Sequence, residues 1–244
     1  RSARTDNTQL GGELLLKASG ICIKGFTDSK IDFALSKGEI VALAGPVGSG
    51  KEALALALAG QEKISAGTIT SERASFPDIG FVPNDRHVSG YIGMLGVREN
   101  VSVGGLDILS GKSGFIKLKK EISHVGKLVA QTNVISSSLE KPVSQLSGGN
   151  QQKVVFARSL CRDPDIIVAL SPTRGVDVGA KEQLYALLRS LASEGRGIVV
   201  VSDEEDEIEQ LANRVVIVFE GKVVDELVGD YGMKDLIMHM EGVA

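Results

Sequence analysis

The chain has 244 residues, 43% of them hydrophobic, 24% charged and 4% aromatic, with a formal net charge of −4. This composition supports the core of one large or two small domains, and its acidic balance gives no general attraction to nucleic acid or anionic lipid. The longest apolar run, Ala53–Ala59, is far shorter than the roughly 18 residues of a spanning helix, so we expect only peripheral membrane contact. Cys22 and Cys161 form no CxxC pair, which fits a reducing compartment, although one disulfide between them stays open.

The amino-terminal part of the chain predicts strands followed by a glycine loop and a helix. Residues 1–12 are polar and Gly-rich and predict a tail or linker. Short apolar stretches between residues 13 and 33 predict β-strands, and Ile40–Ala44 predicts a buried strand. Residues 45–50 interrupt this run, and Glu52–Ala59 is rich in alanine and leucine, which favour helix.

The segment GPVGSGK, residues 45–51, has the G-x-x-x-x-G-K spacing of a phosphate-binding loop. Its glycines permit a tight turn with inward N–H groups, and Lys51 adds a positive charge for phosphate oxygens. The next position usually holds the Ser or Thr that binds Mg²⁺, but here it is Glu52. Its carboxylate can bind Mg²⁺. Beside a phosphate, however, the repulsion between two unit negative charges about 4 Å apart would cost roughly 4 kcal/mol. We therefore expect weakened nucleotide binding unless Glu52 turns away. The predicted nucleotide-binding residues are Gly45, Pro46, Val47, Gly48, Ser49, Gly50, Lys51 and Glu52.

The segment from about residue 87 to 150 predicts a helical insertion, with amphipathic stretches such as Lys117–Gln131 between Gly and Ser clusters. After it, strands and helices alternate, which favours an α/β fold with a parallel sheet covered by helices. The predicted elements are helix Gln151–Cys161, strand Ile166–Leu170, helix Gly179–Ser193, strand Ile198–Ser202, helix Glu204–Ala212 and strand Val215–Phe219.

A second motif, LSGGNQQK at residues 146–153, follows the phosphate loop at a distance of about a hundred residues. With both motifs placed, the chain resembles the ATPases of ABC transporters, most closely the second half of sugar importers that carry two ATPase halves in one polypeptide. The stretches 141–160 and 171–185 are the most specific, and the resemblance covers about residues 12–242. It implies a P-loop NTPase fold in one domain at 13–244, mainly a parallel sheet, with an antiparallel β subdomain and a helical signature subdomain.

The resemblance also implies that two ATPase domains pair head to tail, each nucleotide lying between one domain's phosphate loop and the other's signature. The signature would begin a helix whose N–H groups meet a phosphate of the partner's nucleotide. Taken alone, SGG could be an ordinary helix-capping loop. Asp177 matches the loop that crosses to the partner, and a helix cap is compatible with that role. The residues predicted to face the partner's nucleotide are Ser147, Gly148, Gly149, Asn150 and Gln151.

The positions that support hydrolysis in this family differ here. The family's strand ends in Asp-Glu-Pro-Thr, where Asp holds Mg²⁺ through water and Glu polarises the attacking water. This chain has Leu170 and Ser171 at those positions, Asp203 where the family has a His that contacts the γ-phosphate, and Asn84 about where it has Gln. A fixed charge on Asp203 would repel that phosphate. We therefore expect weak ATP binding, doubtful Mg²⁺ binding, and little or no hydrolysis at this site.

These features predict a nucleotide-binding domain of a bacterial importer for sugars or related small metabolites. Its expected partners are a second ATPase domain in the same or a separate chain, a transmembrane permease and, indirectly, an extracellular solute-binding protein. It would lie at the cytoplasmic face of the plasma membrane and be soluble when isolated, with no nucleic-acid partner. No secretory signal is expected in the polar opening RSARTDNTQ.

Other functions predict partly different sequence features. A DNA-maintenance ATPase would have a long coiled coil between the two motifs, and a translation ATPase would have a charged linker and a basic surface. A docking or regulatory module without nucleotide turnover shares most of the predictions, whereas a small-molecule phosphotransferase would have no use for LSGGNQQK. No metal site is predicted, because the histidines are scattered and the acidic run 203–209 suits the start of a helix.

Overall fold

The computed structural model describes residues 12–71, 77–111, 114–229 and 231–241. The predicted tail lies outside these residues except for Gly12. The strands are β1 Leu14–Ile23, β2 Phe26–Ser36, β3 Ile40–Ala44, β4 Ala66–Thr70, β5 Ile79–Val82, β6 Ile166–Leu170, β7 Gly197–Val201, β8 Arg214–Phe219 and β9 Lys222–Val228. The α-helices are α1 Lys51–Leu58, α2 Val97–Ser102, α3 Leu106–Leu109, α4 Leu118–Gln131, α5 Gly148–Ser159, α6 Val178–Ser193, α7 Glu205–Leu211 and α8 Met233–Glu241.

The strands form two sheets of different character. β2, β1 and β4 form an antiparallel sheet in that order. The larger sheet has the order β5-β6-β7-β3-β8-β9 and is parallel except for β9 at its edge. The mainly parallel sheet and the antiparallel sheet that the sequence resemblance implied are therefore both present.

Helices lie on both faces of the larger sheet, so its central strands are buried on both sides. Along β6, Ile167 and Ala169 pack into the core that contains α5 and α6, whereas Val168 and Leu170 pack into the core that contains α1 and β1. This alternation follows from the two-residue period of a strand. A strand with apolar residues on both faces reads as a continuous hydrophobic run, which is why the sequence predicted β6 correctly.

The segment between β5 and α5 is built from short helices. It begins with a π-helical turn at Arg86–Gly90 and continues with α2, α3 and α4, linked to α5 by a 3₁₀ turn at Val143–Gln145. α5 begins three residues before its predicted start, because Ser147 caps it and accepts a hydrogen bond from the backbone N–H of Asn150 at 3.4 Å. Within the described ranges, no helix is both long and apolar enough to cross a bilayer.

A buried ion pair joins the two sheets at the amino ends of the parallel strands. Glu39 precedes β3, and its Oε1 lies 2.7 Å from Nε of Arg214, the first residue of β8. Arg214 also donates to the carbonyl oxygen of Ala34 at 2.6 Å, pairs with Glu226 at 3.1 Å, and stands 5.6 Å from the centre of the Phe33 ring. Burial alone would lower the pKa of Arg214, but the hydrogen bonds and charges of Glu39 and Glu226 outweigh it and raise the pKa above its ordinary value.

We expect Arg214→Met to destabilise the fold by about 3–5 kcal/mol, because it leaves the Glu39 carboxylate buried without its partner. The matched control is Arg162→Met, which removes ion pairs of a half-exposed arginine with Asp78 and Asp107 and should cost about 1 kcal/mol or less. Denaturant unfolding of both variants measures the two costs. Equal losses would contradict a structural role for the buried pair.

Candidate functional site

The loop between β3 and α1 packs closely against its surroundings at two of its glycines. Gly45 has a φ of +143°, and a Cβ there would lie 2.1 Å from the carbonyl oxygen of Val218 in β8. Gly50 has a φ of +100°, and a Cβ there would lie 3.0 Å from the Phe26 ring. Gly48 has a φ of +81° but open space around it. The backbone of this loop is therefore held tightly at both ends and is open to solvent between them.

A cavity of about 270 Å³ opens against this loop. Its described lining combines loop backbone with one lysine, two acids and the aromatic ring of Phe26, which can stack on a base as well as pack against the loop. Pro46, although predicted as a nucleotide-binding residue, is half-buried and is absent from the described lining, as are Gly45 and Ser49. The lining residues are Phe26, Val47, Gly48, Gly50, Lys51, Glu52, Ala53 and Asp203.

Lys51 is the centre of the site's electrostatics. Its side chain is buried, with 4% of the residue exposed, and its Nζ donates to the Gly45 carbonyl oxygen and to Asp203 Oδ1, each at 2.5 Å. Asp203 follows β7, and its side chain is 62% exposed. The sequence placed Asp203 near the phosphates. Its direct pairing with Lys51 was not expected and changes the charge that the lysine can offer.

The end of β6 lies beside the cavity without contributing an acid to it. Leu170 is buried in the core between the sheets, and neither it nor Ser171 belongs to the described lining. Ser171 has a φ of +44°, uncommon for a residue with a side chain, and its N–H donates to the Val201 carbonyl oxygen at 2.7 Å. The backbone leaves the strand direction at Ser171, and no residue of the loop 171–175 belongs to the described lining of the cavity.

Asn84 contacts this same loop rather than the cavity lining. Its Oδ1 accepts a hydrogen bond from Arg174 at 3.2 Å. Its neighbour Arg86, which the sequence analysis did not single out, donates to the carbonyl oxygens of Arg174 at 2.9 Å and Gly175 at 3.2 Å, and reaches Gln151 Oε1 at 3.5 Å. Arg86 therefore connects the segment after β5, the loop after β6 and the helix α5.

The signature residues stand at the amino end of α5, away from the described lining of the cavity. Ser147 is exposed, and its Oγ accepts from the Asn150 side chain at 3.0 Å. Asn150 in turn accepts from the N–H of Ile135 at 2.8 Å. Gly148 is half-buried, and a Cβ at Gly149 would lie 2.5 Å from the Ala180 side chain.

Gln151, which the sequence analysis placed among the residues facing a partner's nucleotide, is buried in this chain. Its amide donates to the carbonyl oxygens of Leu146 at 3.1 Å and Val143 at 3.4 Å. These bonds hold the loop that leads into α5. Asp177 is exposed and caps α6, with Oδ1 accepting from the Ala180 N–H at 3.0 Å.

A buried carboxyl group behind the site was missed by the sequence analysis. Glu207 in α7 is almost fully buried, and its Oε1 accepts a hydrogen bond from Thr173 at 2.8 Å. Burial raises the pKa of Glu207 above its ordinary value, and hydrogen bonds from Ser202 and Thr173 oppose this only in part. Burial also raises the pKa of the neighbouring Tyr185 to about 12. Glu207 thus links the loops that carry Ser171 and Asp203, and the sequence could not predict this because the bond to Thr173 joins separate segments of the chain.

The loop fits the phosphates of a nucleotide better than it fits a metal ion. Lys51, the glycine backbone and the start of α1 are the groups that bind phosphate oxygens. Among the described residues, no group of three or more His, Cys, Asp or Glu side chains is placed to hold a metal. Glu52 is an exposed carboxylate on the cavity wall, so it has not turned fully away from the site.

Comparison with known proteins identifies close relatives in sequence. The family model described as ABC transporter matches residues 29–174. A ribose import ATP-binding protein of Rubrobacter xylanophilus is 34% identical over 238 residues, covering 93% of this chain and 45% of that protein. A putative ribose/galactose/methyl galactoside import ATP-binding protein of Geobacillus kaustophilus is 36% identical over 240 residues, covering 94% of this chain and 47% of the relative. The chain spans about half the length of these curated relatives.

Solved structures agree with the fold. The ATP-binding cassette MJ1267 has a TM-score of 0.78 at 19% identity, covering 94% of this chain and 98% of the cassette. The cassette MJ0796, in a dimeric post-hydrolysis state bound to ADP and Pi, has a TM-score of 0.74 at 22% identity, covering 89% and 100%. At these identities the likeness concerns the fold alone.

We expect Glu207→Gln to make the fold less sensitive to pH. The raised pKa means that folded Glu207 holds its proton at pH values where the unfolded side chain has lost it, so stability falls as pH rises from 4.5 to the folded pKa. Because glutamine does not ionise, the stability of the variant relative to the native protein should be greater at pH 7.5 than at pH 4.5. Denaturant unfolding across this range measures the difference. The control is Glu205→Gln, an exposed residue in the same helix, and a pH-independent difference for Glu207→Gln would refute the assignment.

Proposed function

The chain belongs to the ABC transporter family, and from this membership we propose that it is a nucleotide-binding domain of an importer for sugars or related small metabolites. The names of its relatives support this: ribose, xylose and galactose import ATP-binding proteins align with most of the chain at 32–36% identity. The observation that carries the mechanism is a contrast within the chain. The signature is presented at a helix start, whereas the strand end beside the phosphate loop carries no acid.

The proposed contribution of this domain is to complete the ATP site of a second ATPase domain, in the same or a separate polypeptide, by head-to-tail pairing. Ser147 is exposed where α5 begins, so its hydroxyl and the first N–H groups of the helix can meet a phosphate on another domain. Asp177 is exposed at the start of α6, and its backbone and side chain can take part in the same contact.

The domain's own site is proposed to hydrolyse ATP poorly or not at all. Leu170 offers no oxygen to a metal ion, and Ser171 is a poor general base at neutral pH. Asn84 is hydrogen-bonded to Arg174, and Asp203 places a negative charge at Lys51. Each change removes part of one chemical unit, and losses within such a unit are not additive, so a single one already costs orders of magnitude.

ATP is the proposed nucleotide, held weakly by the phosphate loop and Lys51. Mg²⁺, where bound, would supply charge compensation for the phosphates. The chain's own groups offer it little, since the two acids of the described lining are Glu52 and the Lys51-paired Asp203, and no group of three or more possible metal ligands occurs among the described residues.

A transmembrane permease is the proposed second partner, which would place the domain at the cytoplasmic face of the membrane. The helical segment presents a set of exposed apolar side chains, and such patches mark sites of contact with other proteins or with membranes. This supports docking through that segment, with an extracellular solute-binding protein acting indirectly. Among the described residues of this segment, the exposed apolar side chains are Val88, Ile92, Met94, Val103, Leu106, Ile108, Phe115, Ile116, Leu118, Ile122 and Ile135.

The alternative is a regulatory or docking module of the same family with no part in nucleotide turnover. It has the same fold and the same exposed segment, and the cavity at Lys51 would then have no part in nucleotide turnover. The two functions differ in what the signature does, because only a domain that completes a partner's site needs Ser147.

In the purified complex with the permease and the second ATPase domain, Ser147→Arg should lower ATP turnover at least tenfold, because the bulky, charged arginine side chain blocks contact with the partner's nucleotide. Ser171→Ala should leave turnover within twofold, since no base is removed. Ser137→Arg, an exposed serine in the same segment, controls for added bulk and charge. A tenfold loss in Ser171→Ala, or full activity in Ser147→Arg, would reverse the proposed division of roles.

A further inference from the structure

The lysine of the phosphate loop is already paired with a carboxylate from another loop of the same chain. Lys51 Nζ has three N–H donors, and two of them already bind the Gly45 carbonyl oxygen and the Asp203 carboxylate at 2.5 Å. In a phosphate loop the backbone N–H groups cradle the inner phosphates, whereas the lysine tip reaches the outer ones. Asp203 therefore lies at the end of Lys51 that an outermost phosphate would use.

The lining of the cavity gives an added phosphate no alternative cation. Lys51 is the one cationic side chain among its described lining residues, and Glu52 and Asp203 are both acids. Lys181, in the first turn of α6, is outside the described lining and is paired with Glu204 at 2.5 Å. A third phosphate would have to displace the Asp203 carboxylate or stand beside it, and either arrangement is unfavourable.

A diphosphate meets neither problem. Its phosphates can lie along the glycine backbone, where Gly48 leaves open space and α1 contributes its amino-terminal partial charge. The Lys51–Asp203 pair can remain in place, because the third Lys51 donor is enough for the diphosphate's terminal oxygen. The Asp203 carboxylate at Lys51 Nζ thus makes the site sensitive to whether a nucleotide carries two or three phosphates.

We infer that Asp203 acts as a built-in substitute for the γ-phosphate, so that this site binds a nucleoside diphosphate in preference to a triphosphate. This rests on the proposal that the site holds a nucleotide. The site would then remain in a diphosphate-bound form while the partner's site turns over.

Calorimetric titration of the full chain with ADP and with ATP, both in EDTA, tests the inference. We expect the native protein to bind ADP at least tenfold more tightly than ATP. Asp203→Asn, which keeps the size of the side chain and removes its charge, should strengthen ATP binding at least tenfold and bring the ratio close to one. Asp206→Asn, an exposed acid in the next helix, removes the same net charge and should leave the preference unchanged.

Equal affinity of the native protein for ADP and ATP would overturn the inference. So would an equal gain for both nucleotides in Asp203→Asn, which would mean that Asp203 repels every nucleotide through its charge alone. If neither nucleotide binds either protein, the site is not a nucleotide site and the inference is wrong. The Ser147 experiment would still report separately on the partner's site.

Discussion

The site depends on the parallel pairing of β6, β7 and β3. Parallel strands end at the same edge of a sheet, so the phosphate loop after β3, the turn at Ser171 after β6 and Asp203 after β7 are brought side by side although up to 158 residues separate them in the chain. No local sequence feature could bring Lys51 to Asp203, whereas the sheet order makes the two loops neighbours.

The same sheet makes the loop residues difficult to replace. Gly45 approaches the backbone of β8, and Gly50 packs against Phe26 from the antiparallel sheet, so the loop is fixed by elements on two sides. At the amino ends of the parallel strands, Arg214 pairs with Glu39 and donates to the Ala34 carbonyl oxygen of β2, which connects the two sheets. The glycine loop thus lies between elements of both sheets.

Sequence patterns predicted the elements whose signal is local. The apolar runs at β3 and β6 and the amphipathic pattern of α4 lie where predicted, within one or two residues. The strands β4 and β9 were missed, because both lie at the edge of a sheet and are partly exposed, and such strands carry a weak hydrophobic pattern. Motif spacing placed Lys51, Ser147 and Asp177 on their loops. It could not predict the burial of Gln151, the bridge made by Arg86 or the buried Glu207, since those depend on contacts between segments far apart in sequence.

The two halves of the proposed mechanism differ in how closely they are tied to the fold. The signature is part of the packing: Gly149 lies against Ala180, and the buried Gln151 holds the loop before α5 and meets Arg86. Changes there disturb the core as well as the contact with a partner. Glu52 is exposed, so a change of residue there alters charge without creating a cavity, whereas Asp203 is exposed but pairs with the buried Lys51. In the proposed mechanism the domain's own site can therefore change at an exposed position such as Glu52 with little cost in stability, whereas a change in the signature also disturbs packing. This difference is a physical reason why the proposed combination of an intact signature and an altered phosphate site can be stable in one chain.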